Sequence, residues 1–289
     1  MDSAELRIFQ AVARDGSITK AAARLGYVQS NVTARIKQLE TELGTDLFYR
    51  HNRGMTLTSS GKMLLDYADK IIGLLDEAAS ALSFSGEPTG PLLIGSTQTT
   101  AAVRMPKLLS QYYEKYPKVE LTLLTDMSDR LMERVLQYEL DVAFGSFRFN
   151  HEDLTRLPVF DEEVVVISPP GIESLDEALL KPSLVYNRGC TFREQLEEMK
   201  KTHGQTNVAT MEFGTLEAIL GGVSAGLGIS LLPRMVAEQK AQEGAMRIHE
   251  VPESMRYLKT EIIYRKTAQP TSALRALIEL LGEQERMVS

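Results

Sequence analysis

The chain has 289 residues, 43% of them hydrophobic and 25% charged. At roughly 100–200 residues per domain this is too long for one small domain, and the composition argues against disorder, collagen-like repeats and a pure coiled coil. No apolar run approaches the ~20 residues needed to span a bilayer. Asp2 and Glu5 stand where a signal peptide would be basic, so a cytoplasmic location is expected. Cys190 is the only cysteine, which excludes an internal disulfide framework and a Cys-rich zinc site. His51, His151, His203 and His249 are scattered and form no HExxH-type pair. Neither a metal nor a cofactor is expected. The net charge of −7 is unevenly spread: residues 1–62 hold nine Lys/Arg and six Asp/Glu, while the rest hold 23 and 33. A mildly basic head on an acidic body suggests that only the head meets a polyanion.

In AELRIFQAVAR (4–14), Leu6, Phe9 and Ala13 recur at helical spacing, and Asp15-Gly16 ends the helix. Ser17 or Thr19 can cap a second helix, TKAAARL, which stops at Gly26. A third, QSNVTARIKQLETEL, ends before Gly44. Its Val32, Ile36, Leu39 and Leu43 share one face and should be buried. Ser30, Thr33, Ala34 and Lys37 fall opposite. A small polar face with a cation one turn on suits a helix that enters the major groove. The pair reads as helix-turn-helix, against the alternative of an ordinary helical hairpin. Leu47–Tyr49 and Met55–Thr58 have strand character around the turn signal Asn52-Arg53-Gly54. This hairpin reads as a wing whose arginines reach phosphate or the minor groove.

From Ser60 to Leu82 the helical pattern is unbroken. Leu64, Tyr67, Ile71, Leu74, Ala78 and Ala81 form one stripe, and Leu65, Ala68, Ile72, Leu75, Ala79 and Leu82 another beside it. Such a rod, about 35 Å long at 1.5 Å per residue, needs a partner to cover it, either its own domain or a second chain. SFSGEPTGP (83–91) is a hinge signal. Beyond it, LLIGST, a helix to about Lys115, VELTLLTD, SDRLMERVLQ and DVAFGSF read as βαβαβ, a parallel sheet with helices on its faces. A second set follows: EEVVVISP, SLDEALL, SLVYN, TFREQLEEMKK, NVATMEF, TLEAILGGVSAG and GISLLP. EIIYR and a helix at about 272–286 end the chain.

Ligands of open α/β sheets sit beyond the carboxyl ends of strands, at helix starts. That rule points to Ser96, Thr97, Gln98 and Thr99 after the first strand, Asp126–Ser128 after the second, and Ser146 and Phe147 after the third. In the second half it points to Asn187–Arg193, including Cys190, Thr191 and Arg193, and to Gly214-Thr215. Hydroxyls, amides and the arginines Arg188 and Arg193 suit a small organic anion, although each hydroxyl taken singly is also a plain N-cap. Cys190, at a helix start between two arginines, is either a reactive thiol or a small pocket-lining residue. Ser17-Ile-Thr-Lys20 matches SxxK without its partner motifs, and Gly226-Leu-Gly228 lacks a third glycine and precedes a strand. No catalytic constellation emerges.

The run FQAVARDGSITKAAARLGYVQSNVTARIKQLETELGTDLFYRHNRGMTLTSSGK resembles the N-terminal domain of LysR-type transcriptional regulators. The matching pieces are the AA.L helix, the Q..V...I..LE..LG..LF.R segment and the LT..G that opens the next helix. The rest resembles the family's effector-binding domain. Val28 and Ser30 depart from the usual Ser/Thr before the Gln and the frequent Pro after it, and Val28 cannot cap, which costs on the order of 1 kcal/mol. The resemblance implies DNA contacts from Gln29, Ser30, Thr33 and Lys37, with Arg35, Arg50 and Arg53 on phosphates; an ion pair to a flanking acid is the other reading of Arg35. It implies a winged helix-turn-helix (1–58), a dimerisation helix (59–84) and a hinge (85–91). Two Rossmann-like α/β subdomains of the periplasmic-binding-protein type follow, the first from 92–161 and 266–289 and the second from 162–265. It also implies operator DNA and a small-molecule effector as partners, a homodimer through residues 60–82, and pairing of dimers into a homotetramer. Some members sense peroxide through a cysteine in the region of Cys190. The competing reading is a two-lobed solute-binding protein or enzyme with an unrelated helical head, which leaves the winged head unexplained.

Overall fold

The computed structural model describes residues 1–51, 54–82, 87–205, 209–266 and 270–288, without the side chains of residues 77, 80–82 and 284–288. Apart from two short segments, the chain divides into one compact unit ending at Ser85 and another beginning at Gly86.

In the first unit α1 (Ser3–Asp15) opens with a capping box, in which Asp2 accepts from the Glu5 backbone and Glu5 from that of Asp2. It ends at Gly16 in the left-handed region. Ser17 caps α2 (Ile18–Leu25). The expected third helix is α3 (Gln29–Leu43), closed by left-handed Gly44. Phe9, Val12, Ala21, Ala22, Val32, Ile36 and Leu39 make the core, and Phe48 closes it with its ring 5.3 Å from that of Phe9. Leu43, expected inside, is 39% exposed, because it lies in the last turn where the core has ended. The wing is the antiparallel pair β1 (Phe48–His51) and β2 (Gly54–Leu57). The turn at residues 52–53, Arg53 included, lies outside the described residues.

α4 (Ser59–Leu82) starts where the Thr58 hydroxyl accepts from Gly61 N–H at 3.0 Å and donates to Asp46 C=O at 2.8 Å. One of its two apolar stripes is covered locally: Leu65, Ala68 and Ile72 join the core under α1. The other, with Tyr67 and Leu74 more than half exposed, is not. Leu64 of this second stripe also packs on that core, and Leu75 of the first is 45% exposed, so the helix is packed within its own unit along its first half and less so beyond. Buried Asp69 fastens α4 to α1, accepting from Gln10 at 2.5 Å and Arg14 at 3.2 Å. Burial pushes its carboxyl up, against the pull of those two donors.

The second unit begins with β3 (Gly90–Ser96), α5 (Gln98–Val103), α6 (Met105–Lys115), β4 (Val119–Thr125), α7 (Ser128–Leu136) and β5 (Val142–Gly145). β3 is parallel to β4 and to β5, the expected βαβαβ arrangement. The single helix expected up to Lys115 is broken at Arg104, before Pro106. β6 (Leu154–Ser168) is far longer than the strand read at 162–169. It pairs antiparallel with β11 (Tyr257–Arg265) as far as Glu163, then with β9 (Ser230–Pro233) and β10 (Arg247–Glu250) from Val164 on. β11 also pairs with β5. The lobe boundaries expected at 161 and 266 fall within and beside this antiparallel pair, Leu154–Glu163 with Tyr257–Arg265. β11 joins β5 only over Glu261–Tyr264, and its register with β6 shifts between Thr260 and Glu261. The second lobe adds α8 (Leu175–Leu179), β7 (Ser183–Val185), α9 (Thr191–Thr202), β8 (Thr210–Glu212), α10 (Leu216–Ser224) and α11 (Arg234–Gln242). α12 (Ser272–Val288) packs on the first half through Leu274 and Leu277, and its Ala273 carbonyl accepts from the Tyr112 hydroxyl at 2.8 Å. Among the described residues no helix is long and apolar enough to cross a membrane, and no group of three potential metal ligands forms.

A β-carbon on Gly61 would lie 2.1 Å from the Leu47 carbonyl oxygen. Backbone there cannot yield, so Gly61→Ala should cost about 2 kcal/mol, read as a lowered thermal midpoint for loss of the first unit's helical signal.

Candidate nucleic-acid interface and effector cavity

α3 begins without a side-chain cap: Val28 is extended (φ −78°, ψ 144°), and only its carbonyl engages, accepting from Asn31 and Val32 N–H. Gln29, Ser30, Ala34 and Lys37 are exposed, while Thr33 and Arg35 are half-buried. The Thr33 hydroxyl donates to Gln29 C=O at 2.9 Å, and Arg35 Nε donates to Asn31 Oδ1 at 3.1 Å rather than to an acid.

Electrostatic pairing sorts the head's cations. Arg7, Arg14, Arg24 and Arg50 are paired with Asp76, Asp69, Asp15 and Glu40. Lys20, Arg35, Lys37 and Lys62 have no ion-pair partner among the described residues. The sequence places Arg50 on phosphate. In the structure it donates instead to Glu40 Oε2 at 2.9 Å, while Glu40 Oε1 accepts from Leu47 and Phe48 N–H at 3.0 and 3.3 Å. The largely buried Glu40 carboxylate thereby ties the wing to α3, and Arg50 serves as its counter-ion. A hollow lined by Lys37, Thr41, Thr45, Tyr49 and Arg50 lies between helix and wing.

In the second unit a cavity of about 260 Å³ lies at the carboxyl ends of β3, β4, β7, β8 and β9. Of the residues expected there, Thr97, Gln98, Thr99, Ser128, Ser146, Cys190 and Thr191 line it. Four do not. Ser96 is fully buried and its hydroxyl donates to Thr97 C=O. Phe147 packs inward with Leu131 and Val135. The Arg193 guanidinium donates to Glu197, Glu212 and Tyr186 C=O at 2.8, 2.7 and 3.2 Å. Thr215 caps α10, accepting from Ala218 N–H at 3.2 Å. Arg188 is exposed and outside the lining.

Sequence reasoning missed Glu162, Tyr186, Phe213, Leu258 and Thr260, all in the wall. Leu258 and Thr260 come from the crossing strand β11, which no strand-end rule picks out. Glu162 is buried and takes both Nε and Nη2 of Arg104, at 2.9 and 3.0 Å, and that guanidinium lies 5.0 Å from the Phe160 ring centre. Among the described residues the lining holds Asp126 and Glu162 but no lysine or arginine. Gln98 spans the cleft: its Nε2 donates to Gly214 C=O at 2.9 Å and its Oε1 accepts from Leu216 N–H at 3.0 Å. Burial pushes the Cys190 thiol up, and the backbone N–H groups of Arg193 and Phe192 only partly offset it.

Residues 3–62 match the bacterial regulatory helix-turn-helix domain of the lysR family, and residues 85–286 match the LysR substrate binding domain. The chain is 58% identical over 279 residues to the HTH-type transcriptional regulator YusT of Bacillus subtilis (strain 168), covering 96% of this chain and 95% of that one. It is 45% identical over 276 residues to the HTH-type transcriptional regulator GltR of the same strain, covering 94% and 93%. Among solved structures, a full-length OxyR variant from Pseudomonas aeruginosa superposes with a TM-score of 0.76 at 26% identity, covering 99% of this chain and 95% of that one. CbnR, solved as a complex with its target DNA, shares the fold at 22% identity with a TM-score of 0.71, covering 98% and 99%. With both halves matched in order along nearly the whole chain, the protein belongs to the LysR family of transcriptional regulators.

Proposed function

We propose that the protein binds operator DNA through α3 and the wing, and that a small organic effector in the second unit's cavity governs this binding. The uncapped, solvated start of α3, with Gln29, Ser30, Thr33 and the unpaired Lys37 on one side, carries the DNA reading. Arg35 and Lys37 contact phosphate, and Arg50 contributes through the wing's position. Two chains pair along α4, where Met63, Tyr67, Ile71 and Leu74 form an exposed apolar row at helical spacing. Pairing covers that row and sets two recognition helices against two half-sites; pairs of dimers make the tetramer.

For the effector, the hydroxyls of Thr97, Thr99, Ser128, Ser146 and Thr191 and the backbone N–H groups opening α7 and α9 would receive a carboxylate. The two arginines that suggest an anion in the sequence lie outside the wall, so N–H and hydroxyl donors would hold the charge. The effector shifts the balance between arrangements of the two lobes, and with it the spacing of the recognition helices. Redox sensing by Cys190 has less support: a thiol pushed up by burial is protonated at neutral pH, the reverse of a sensor's.

A DNase footprint upstream of the protein's own gene should show a dyad-containing site whose protection fades with salt. Lys37→Ala should weaken binding and reduce the salt slope by about one for each phosphate it no longer neutralises; an unchanged slope would remove Lys37 from the interface. In a thermal-shift panel, a true effector at about 100-fold its Kd adds about 2.7 kcal/mol, a rise of roughly 5–10 °C. Carboxylates should give it and their amides should not; the opposite ranking would rule out an anion. Alkylation of Cys190 by iodoacetamide should be slow at pH 7 and still be rising with pH at pH 9, and hydrogen peroxide should leave DNA binding unchanged.

A further inference from the structure

The start of α3 breaks a local rule. The residue before a helix is ordinarily one whose side chain accepts from a free backbone N–H. Here it is Val28, whose side chain makes no cap hydrogen bond. It is also not packed away: Val28 is 68% exposed, beside Tyr27 at 43%. The core under α3 is closed by Val32, Ile36 and Leu39, and nothing in it reaches Val28. The chain thus forgoes a cap and shows two methyl groups to solvent at the end of the helix where Gln29 and Ser30 are exposed. A β-branched apolar side chain gains nothing from water there; it gains from a dry apolar partner.

Among the groups on the major-groove floor, one is apolar: the C5-methyl of thymine. The other edges offer hydrogen-bond donors and acceptors, which valine cannot use. We infer that Val28 is a specificity residue of the DNA interface, packing its methyl groups on a thymine methyl in each half-site. The inference rests on the reading of α3 as the DNA-contacting helix and adds to it the base that the first exposed side chain selects. Val28 has extended backbone and precedes the first residue of α3, so it stands outside the helical repeat that Gln29, Ser30 and Thr33 share.

The test uses the full chain and a duplex that it selects from a randomised pool. Thymines in that duplex are replaced singly by deoxyuridine, which deletes the methyl and keeps every hydrogen-bonding group. The wild-type chain should lose about four- to tenfold in affinity at one symmetry-related pair of thymines, as expected for one buried methyl group. Val28→Ala, which removes the contact in both half-sites, should bind the thymine duplex more weakly by about the square of that factor and be indifferent to uracil at that pair. Val28→Ser should melt at a higher temperature, because it restores the cap, yet share that indifference. This separates the loss of affinity from any fault in folding. If the wild-type chain binds the selected duplex and no thymine-to-uracil change matters, or if the two Val28 variants stay as sensitive as the wild type, the role is overturned while the DNA reading stands. If the chain selects no duplex at all, both fall.

Discussion

Two antiparallel strands hold the second unit together. β6 and β11 are hydrogen-bonded from Leu154–Arg265 to Glu163–Tyr257. β5 pairs with β11, and β3 and β4 follow it. β9 and β10 pair with the far end of β6. Each lobe's sheet is thus built outward from the same pair, and the lobes exchange sheets within a few residues of Glu163 and Tyr257. Any change in the angle between the lobes must be a twist of this ribbon, because among the described residues no other strand runs through both. Glu162 and Thr260, which sit where the ribbon passes the cavity, face the space a ligand would fill. The Arg104–Glu162 pair couples that point to the break between α5 and α6.

The head divides its cations by type. Among the described residues, four of its five arginines are taken by internal carboxylates, and the cations left over are Arg35 and three lysines. An arginine fork suits a fixed partner, and here it fixes the protein to itself: Arg50 with Glu40 under the wing, and Arg14 with Asp69 between α1 and α4. Lysine, a mobile point charge, is left without an internal carboxylate among the described residues. The net charge of residues 1–62 is small, yet the charge available to DNA is better sorted than the sum suggests.

The helical head was nearly fully legible in the sequence. Strong 3.6-residue periodicity, Ser17 as a cap and the glycines at 16, 26 and 44 mark each helix end by mechanisms that act within one turn. The second unit was less legible where burial is one-sided. α11 was missed because Ala237 is its one fully buried residue. The first half of β6 was missed because Pro158 and its half-exposed neighbours blur the alternation. In the cavity, the strand-end rule found the right loops but not always the right side chains. Ser96 and Thr97 are adjacent, yet Ser96 ends β3 inside the core while Thr97, the N-cap of α5, stands in the wall. Arg193 read as a ligand for an anion because its partner Glu212 lies 19 residues away on β8, a proximity set by tertiary packing and not by local pattern.

The Gln98 amide has a kinetic consequence. A primary amide that both gives and takes a backbone hydrogen bond across a cleft behaves as one rung of a ladder, and a ligand whose path crosses the rung must break it first. If it re-forms once the cavity is filled, it contributes equally to the filled and unfilled protein and leaves the affinity unchanged. What it alters is time: entry and escape slow by the same factor. For a ligand that takes that path, a single side chain lining the cavity lengthens the response after the signal has gone.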